Sequence, residues 1–316
     1  MEIHEILSLL GFELSDSNIQ VTPFRSDEDD SEYSVWKVIA GEKAYVLKQA
    51  KGCELEIYRT FFEGKRNVPG EKAFDDGKTA GDRDESGIAN RAVPELYGTV
   101  HYEGQDYLLM EYVDGEDLQK CDRARLQRAL DALIALQDVF WENHEPEISD
   151  YRFEESLGNR KRRGQYLNDR ELEAAYEKYL QLFQKVPRTL CHDDFLPFNV
   201  LVSKAKAVLI DWEVAGMLPY PTPLARLIAH SSEDENAFFT MSKADKAFAV
   251  QYYYDRLVRG KGISYEEYRM TLDYFLLYEY CEWIMLGNRY EDADMERYRE
   301  YFARAKELIR AIAQNP

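Results

Sequence analysis

The sequence predicts an α+β protein built as two lobes, strand-rich through residues 1–113 and mainly helical through residues 114–316. Three observations predict it. Short apolar runs with turn residues between them fill the stretch up to Val113. Asp114-Gly115 then breaks the chain. From Arg123 onward apolar residues recur mostly with helical spacing.

In the first lobe, Ile3 to Leu10 reads as a short helix stopped by Gly11. Ile19 to Phe24 is a strand, and Arg25 to Glu32 a polar, acidic connection. Tyr33 to Ile39 alternates in part, Gly41-Glu42 makes a tight turn, and Lys43 to Lys48 returns as the second arm of a hairpin. Glu54, Ile57, Tyr58 and Phe61 share one helical face, which turns Glu54 inward and Glu56 toward solvent. An inward carboxylate needs a partner. Lys48 is the natural one, although a lysine ending a strand also fits a solvated edge. Residues 64–90 are dense in Gly, Asp, Lys, Arg and Glu and hold only Val68, Phe74 and Ile88 as larger apolar side chains, so they read as a flexible insertion. Val93 to Tyr102 and Gln105 to Val113 are adjacent strands turning at Gly104.

In the second lobe, helices are expected over about 123–140, 171–183, 243–258, 265–286 and 292–313, with a short one over 224–230. Ser264 with Glu267 has the spacing of a capping box. Residues 141–168 show no clear period, and Arg160-Lys-Arg-Arg163 reads as a solvated basic patch, with a nucleic-acid contact and an anionic substrate as the other readings of such a run. Pro219, Pro221 and Pro223 predict an irregular turn rather than a strand or helix.

The formal net charge of -19 argues against nucleic acid or an anionic membrane as a partner and permits a cationic one. No stretch has the length of a membrane span, and the acidic start Met1 to Ile6 lacks the basic region of a signal peptide. Cys53, Cys121, Cys191 and Cys281 are widely spaced and form no metal-ligand pairs. Free thiols and a cytoplasmic location are the expectation.

One polar run stands out against apolar flanks: His192, Asp193, Asp194 and Asn199 within Thr189 to Val202. Pro197 excludes a helix interior, so this is a loop between two short apolar segments. Val208-Leu-Ile-Asp-Trp-Glu213 follows as a strand-like run ending in acids. Asp194, Asn199 and Asp211 together offer oxygen ligands for a hard cation such as Mg2+. Taken singly, each also fits a loop cap, a turn or a strand end.

His192-x-Asp194-x-x-x-x-Asn199 followed by Ile210-Asp211-Trp212-Glu213 resembles the signature of the aminoglycoside phosphotransferase and choline kinase-like superfamily. The resemblance implies a bilobal protein-kinase-like fold and Mg2+-dependent transfer of the ATP γ-phosphoryl group, with GTP as a second possible donor, to a hydroxyl of a small molecule. It implies Asp194 as catalytic base, Asn199 and Asp211 as metal ligands, and Lys48 held by Glu54 at the nucleotide phosphates. Met110 to Gly115 resembles the hinge between lobes, with backbone groups from Glu111 to Val113 at the adenine edge. Residues 25–36 would cover the phosphates, aided by Ser31 and Ser34; the sequence holds no glycine-rich phosphate motif there. Two further departures are Asp193, where relatives carry a small residue, and Pro223, where they carry Asp before Leu-Ala. The acidic helical lobe favours a cationic amino sugar or amino alcohol as acceptor. Monomer and homodimer both stay open. The alternatives are a catalytically inactive kinase-like protein that binds a nucleotide or partner, and a structural protein like the spore-coat branch.

Overall fold

The computed structural model describes residues 2–13, 19–25, 32–62, 92–290 and 296–314. Five antiparallel strands form the first lobe: β1 (Ile19–Arg25), β2 (Glu32–Ala40), β3 (Lys43–Gln49), β4 (Leu96–Tyr102) and β5 (Gln105–Glu111), in the order β1-β2-β3-β5-β4. The β4–β5 turn uses Glu103 and Gly104, both at positive φ (49° and 81°), the backbone that matches the twist of a tight hairpin. Alternation gives the sheet two different faces. Val38, Leu47 and Tyr107 pack on Ile6 and Leu7 of α1 (Glu2–Leu9). Leu108 and Met110 face the other way and join the main core. Beneath that second face lies α2 (Glu54–Ile57), which runs on as a π-turn over Tyr58–Phe62.

The second lobe contains α3 (Arg123–Val139), α4 (Phe153–Gly164) and α5 (Arg170–Phe183), then two short sheets. β6 (Arg188–Cys191) pairs with β9 (Gly216–Pro219), and β7 (Val200–Val202) with β8 (Ala207–Leu209). Helices α6 (Thr222–Ala229), α7 (Lys243–Tyr253), α8 (Tyr265–Arg289) and α9 (Glu296–Gln314) complete it. Asp122, Asp169, Ser242 and Ser264 each cap a helix start by accepting from backbone N–H groups, and the Ser264 cap is the one its spacing with Glu267 predicted. The architecture is bilobal and protein-kinase-like, a sheet lobe joined to a mostly helical lobe. No helix among the described residues is long and apolar enough to cross a membrane.

Three expectations are corrected. Residues 141–168 contain α4, whose inward stripe is Phe153, Leu157 and Arg160; its third member is a buried arginine, which an apolar periodicity does not count. The proline-rich turn is ordered into β9 and α6. Pro219 ends the strand, Pro221 sits at the N-cap, and Pro223 falls in the first turn of the helix, where a missing N–H costs nothing. The basic run 160–163 is not uniformly solvated, because Arg160 is buried. The insertion expected at 64–90 lies outside the described residues.

Candidate active site

The polar run leaves β6 and passes through a 3-10 turn at Pro197–Asn199 into β7. Its geometry is held from below by His192. The His192 ring packs 4.7 Å from Trp212, and its Nε2 donates to the Ile210 carbonyl at 2.7 Å. Burial lowers the His192 pKa, which favours the neutral ring; a carbonyl partner then places the proton on Nε2. This residue therefore ties the Asp194 loop to the segment carrying Asp211. The Ile210 N–H adds a second tie by donating to the Asn199 carbonyl at 2.9 Å.

Within the loop, Asn199 Nδ2 donates to the Asp194 carbonyl (2.8 Å) and to Asp194 Oδ2 (3.1 Å). These bonds fix the amide so that its oxygen, Oδ1, is the atom left for an external partner. Asp194 Oδ1 accepts from Arg226 Nε (3.0 Å) and Nη2 (2.8 Å). The neighbouring Asp193 pairs with Arg160 Nη2 at 2.6 Å.

Asp211 follows β8 with φ at +66°, in the left-handed region that Asp tolerates better than most residues. Its Oδ1 lies 2.6 Å from Lys48 Nζ. Both oxygens of Glu54 lie 2.8 Å from the same nitrogen. Lys48 is 9% exposed and Glu54 1%, so neither is the solvated edge residue that the sequence also allowed. Burial pulls the Lys48 pKa down, but Glu54 and Asp211 outweigh it and the net direction is up, which keeps the ammonium charged. Burial likewise pushes the Glu54 carboxyl up, with Lys48 opposing.

The start of α2 explains why Glu54 reaches Lys48. Gly52 sits at φ +51° against the backbone of Glu213, where an added Cβ would stand 2.2 Å from the carbonyl oxygen. The Cys53 N–H donates to that oxygen at 3.0 Å. The helix carrying Glu54 is thus fastened to the strand-end segment carrying Asp211.

Lys48, Glu54 and Asp211 are brought together, and Asp194 and Asn199 are brought together in the adjoining loop. Other candidates are placed differently. Ser31 lies outside the described residues. Alternation along β2 puts Ser34 on the face of Trp36 and Val38, opposite Val35, which pairs with Lys48. The Glu111 N–H is already used by the Glu95 carbonyl (2.7 Å), and its carboxylate pairs with Lys206. Val113 follows, buried, and no described residue accepts from its N–H.

Sequence reasoning missed Arg226. Its Nη1 also bonds Glu279 Oε2 (2.9 Å) and Glu282 Oε2 (2.5 Å), so one guanidinium joins the Asp194 loop to α8. A signal existed: Glu279 falls on the apolar face of its helix, which demands a cation, but the rule names no partner so far away in sequence.

A family model described as "Phosphotransferase enzyme family" matches residues 21–255. Among solved structures, an aminoglycoside phosphotransferase from Alicyclobacillus acidocaldarius is similar with a TM-score of 0.62 and 13% identity, over 98% of this chain and 95% of that one. A thermostable mutant of aminoglycoside phosphotransferase APH(4)-Ia, in ternary complex with ADP and hygromycin B, is similar with a TM-score of 0.52 and 14% identity, over 93% and 94%. A choline kinase from Cryptosporidium parvum is similar with a TM-score of 0.51 and 12% identity, over 96% and 90%. At these identities the likenesses establish the fold. No curated protein matches the chain by sequence.

Proposed function

The chain belongs to the phosphotransferase enzyme family, and on that premise we propose that it transfers the terminal phosphoryl group of ATP, with Mg2+, to a hydroxyl of a small molecule. The Lys48 ammonium held between Glu54 and Asp211 carries this reading. A buried cation fixed by two carboxylates is a costly arrangement that an ordinary core does not need.

In this reading each group has one task. Lys48 meets phosphate oxygens, and Glu54 keeps it aimed. Asn199 Oδ1 and the second oxygen of Asp211 fit a hard cation, since both are oxygen donors whose companion atoms are already engaged by Asp194 and Lys48. Mg2+ bound there would neutralise phosphate charge. Asp194 holds the acceptor hydroxyl and takes its proton on Oδ2, while Arg226 keeps Oδ1 occupied. The Glu111 carbonyl and Val113 N–H serve the adenine edge. The APH(4)-Ia relative seen with ADP and hygromycin B supports a nucleotide and a second small molecule in one site.

The net charge of -19 draws cations, so amino sugars and amino alcohols are the first acceptors to test. Tyr253, Tyr254, Tyr268 and Phe275 are buried in the core and supply no aromatic wall for an ammonium. The test is incubation with Mg-ATP, or Mg-GTP, and pooled hydroxyl compounds, with products read by mass spectrometry. Asp194→Asn should keep nucleotide binding and lose product by roughly a hundredfold or more. Equal turnover by that variant would remove Asp194 from the role of base. Nucleotide binding with no product in any pool would favour a binding-only protein.

A further inference from the structure

A cavity opens beside Asp193, walled by α4 on one side and by Val214, Ala215 and Leu218 on the other. The second wall belongs to the segment that follows Asp211, and Asp193 in the lining directly precedes Asp194 in the loop. Its charged lining sets Arg152, Arg160 and Arg163 against Glu155 and Asp193. Its two carboxylates are both paired: Asp193 through Oδ1 with Arg160, and Glu155 with Arg152 through a two-pronged contact at 2.9 Å. Arg160 is spent as well, donating from Nε to Tyr179, from Nη1 to Ser156 and from Nη2 to Asp193.

The donors that remain are different. Arg163 uses only Nη1, toward Tyr278 and Glu282, and its side chain is 54% exposed; among the described residues nothing accepts from its Nε or Nη2. Asn159 has its oxygen engaged by Arg162, which leaves the amide N–H groups. The Ser156 oxygen accepts from Arg160, which leaves the hydroxyl proton. A ligand entering this cavity therefore meets free donors, while each carboxylate in the lining already has an arginine partner. Free donors of that kind suit an anion better than an ammonium.

We propose that this cavity is the acceptor's recognition site and that the acceptor carries an anionic group, a carboxylate or a phosphate, bound by Arg163, Asn159 and Ser156. The proposal rests on the phosphotransferase reading and narrows its substrate class. The site connects to the proposed base through direct contacts: Arg163 pairs with Glu282, Glu282 with Arg226, and Arg226 with Asp194. An acceptor that also bears an ammonium is compatible with the acidic surface. One that bears no anion leaves three donors unmatched.

Three acceptor pools decide it: hydroxy acids, phosphorylated alcohols or sugars, and amino sugars or amino alcohols without an anion. Phosphoryl transfer is expected in the first or second pool, and which of them responds separates carboxylate from phosphate. Arg163→Gln and Asn159→Asp should each raise KM for that acceptor by about tenfold or more while kcat changes far less. Turnover confined to the third pool, or a KM that neither variant moves, would overturn the proposal. A second measurement needs no turnover: inorganic phosphate should raise the Tm of the unmodified chain and lose that effect in Arg163→Gln. The absence of such a difference also overturns it. Failure of the parent reading looks different, because then Mg-ATP gives no product in any pool, whatever phosphate does to Tm.

Discussion

Replacing Arg226 with methionine removes one cation from three carboxylates at once. Asp194 keeps Asn199, and Glu282 keeps Arg163. Glu279 is left with His230 alone, at 3.0 Å, and it is only 1% exposed. At the 2.9 Å separation of Arg226 and Glu279, an effective dielectric of about 20 gives an attraction of roughly 6 kcal/mol. Relief from burying the guanidinium returns part of it. Breaking a buried pair from one side therefore costs about 3–5 kcal/mol, a large share of the ~5–15 kcal/mol that stabilises a domain. His230, Glu279 and Glu282 bring ligand-type atoms within 4.8 Å of one another, and Arg226 supplies the positive charge in their midst.

Urea unfolding followed by tryptophan fluorescence measures this loss as a lower midpoint at unchanged slope. The double variant Arg226→Met/Glu279→Gln, which removes the orphaned charge, should recover about 1.5 kcal/mol or more of it. Arg226→Lys keeps the charge but cannot place two N–H groups on Asp194 Oδ1, so it should unfold close to the unmodified chain while kcat falls. A loss under about 1 kcal/mol for Arg226→Met, or strict additivity in the double variant, would refute the reasoning.

Gly52→Ala puts a Cβ where only 2.2 Å separates it from the Glu213 carbonyl, at a φ of +51°. The start of α2 must move, and Mg-nucleotide affinity should fall by about tenfold or more while the second lobe's helices keep their circular dichroism. Lys48→Met should lower kcat strongly, and the same variant with Glu54→Gln should be more stable than Lys48→Met alone, because Glu54 otherwise stays buried and unpaired. Burial opposes ionisation of Glu282, but Arg226 and Arg163 outweigh it and lower the pKa from 4.5 to about 2. A folded pKa below the unfolded one means stability that is full above pH 4.5 and is lost as pH falls toward 2. Acid titrations of unfolding should show a shallower fall over that window in Glu282→Gln; equal slopes would contradict the assignment.

The strand lobe was legible because its rules are local. Alternation placed β2 and β3, a glycine turn joined them, and an inward Glu54 demanded the cation that Lys48 supplies. The loop from His192 to Asn199 was legible because Pro197 excludes a helix and because polar residues there interrupt apolar flanks. At residues 153–164 reading failed because a charged side chain takes the place of an apolar one. Arg160 fills the third position of the α4 stripe, flanked by the rings of Phe183 and Tyr278 at 4.7 Å, so a count of apolar residues finds no helix.

The same misreading hid the most connected residue in the second lobe. Pro223 stands where the family resemblance implies an Asp. Three residues on, Arg226 braces Asp194 directly and is itself held by two glutamates of α8. Against that expectation, a cation stands beside Asp194 and is anchored on another helix. Such an exchange leaves no trace in spacing, because both partners are ordinary helix residues until the fold brings α6 against α8. It also changes what the pocket can take. An acidic brace leaves negative charge near the acceptor, whereas Arg226, Arg163 and Arg160 set guanidinium groups along that side of Asp193 and Asp194. In the proposed reading, a chain with a net charge of -19 meets its acceptor through the donors that those carboxylates leave unspent. Overall charge governs what approaches the molecule; the few donors left unspent in the cavity govern what stays.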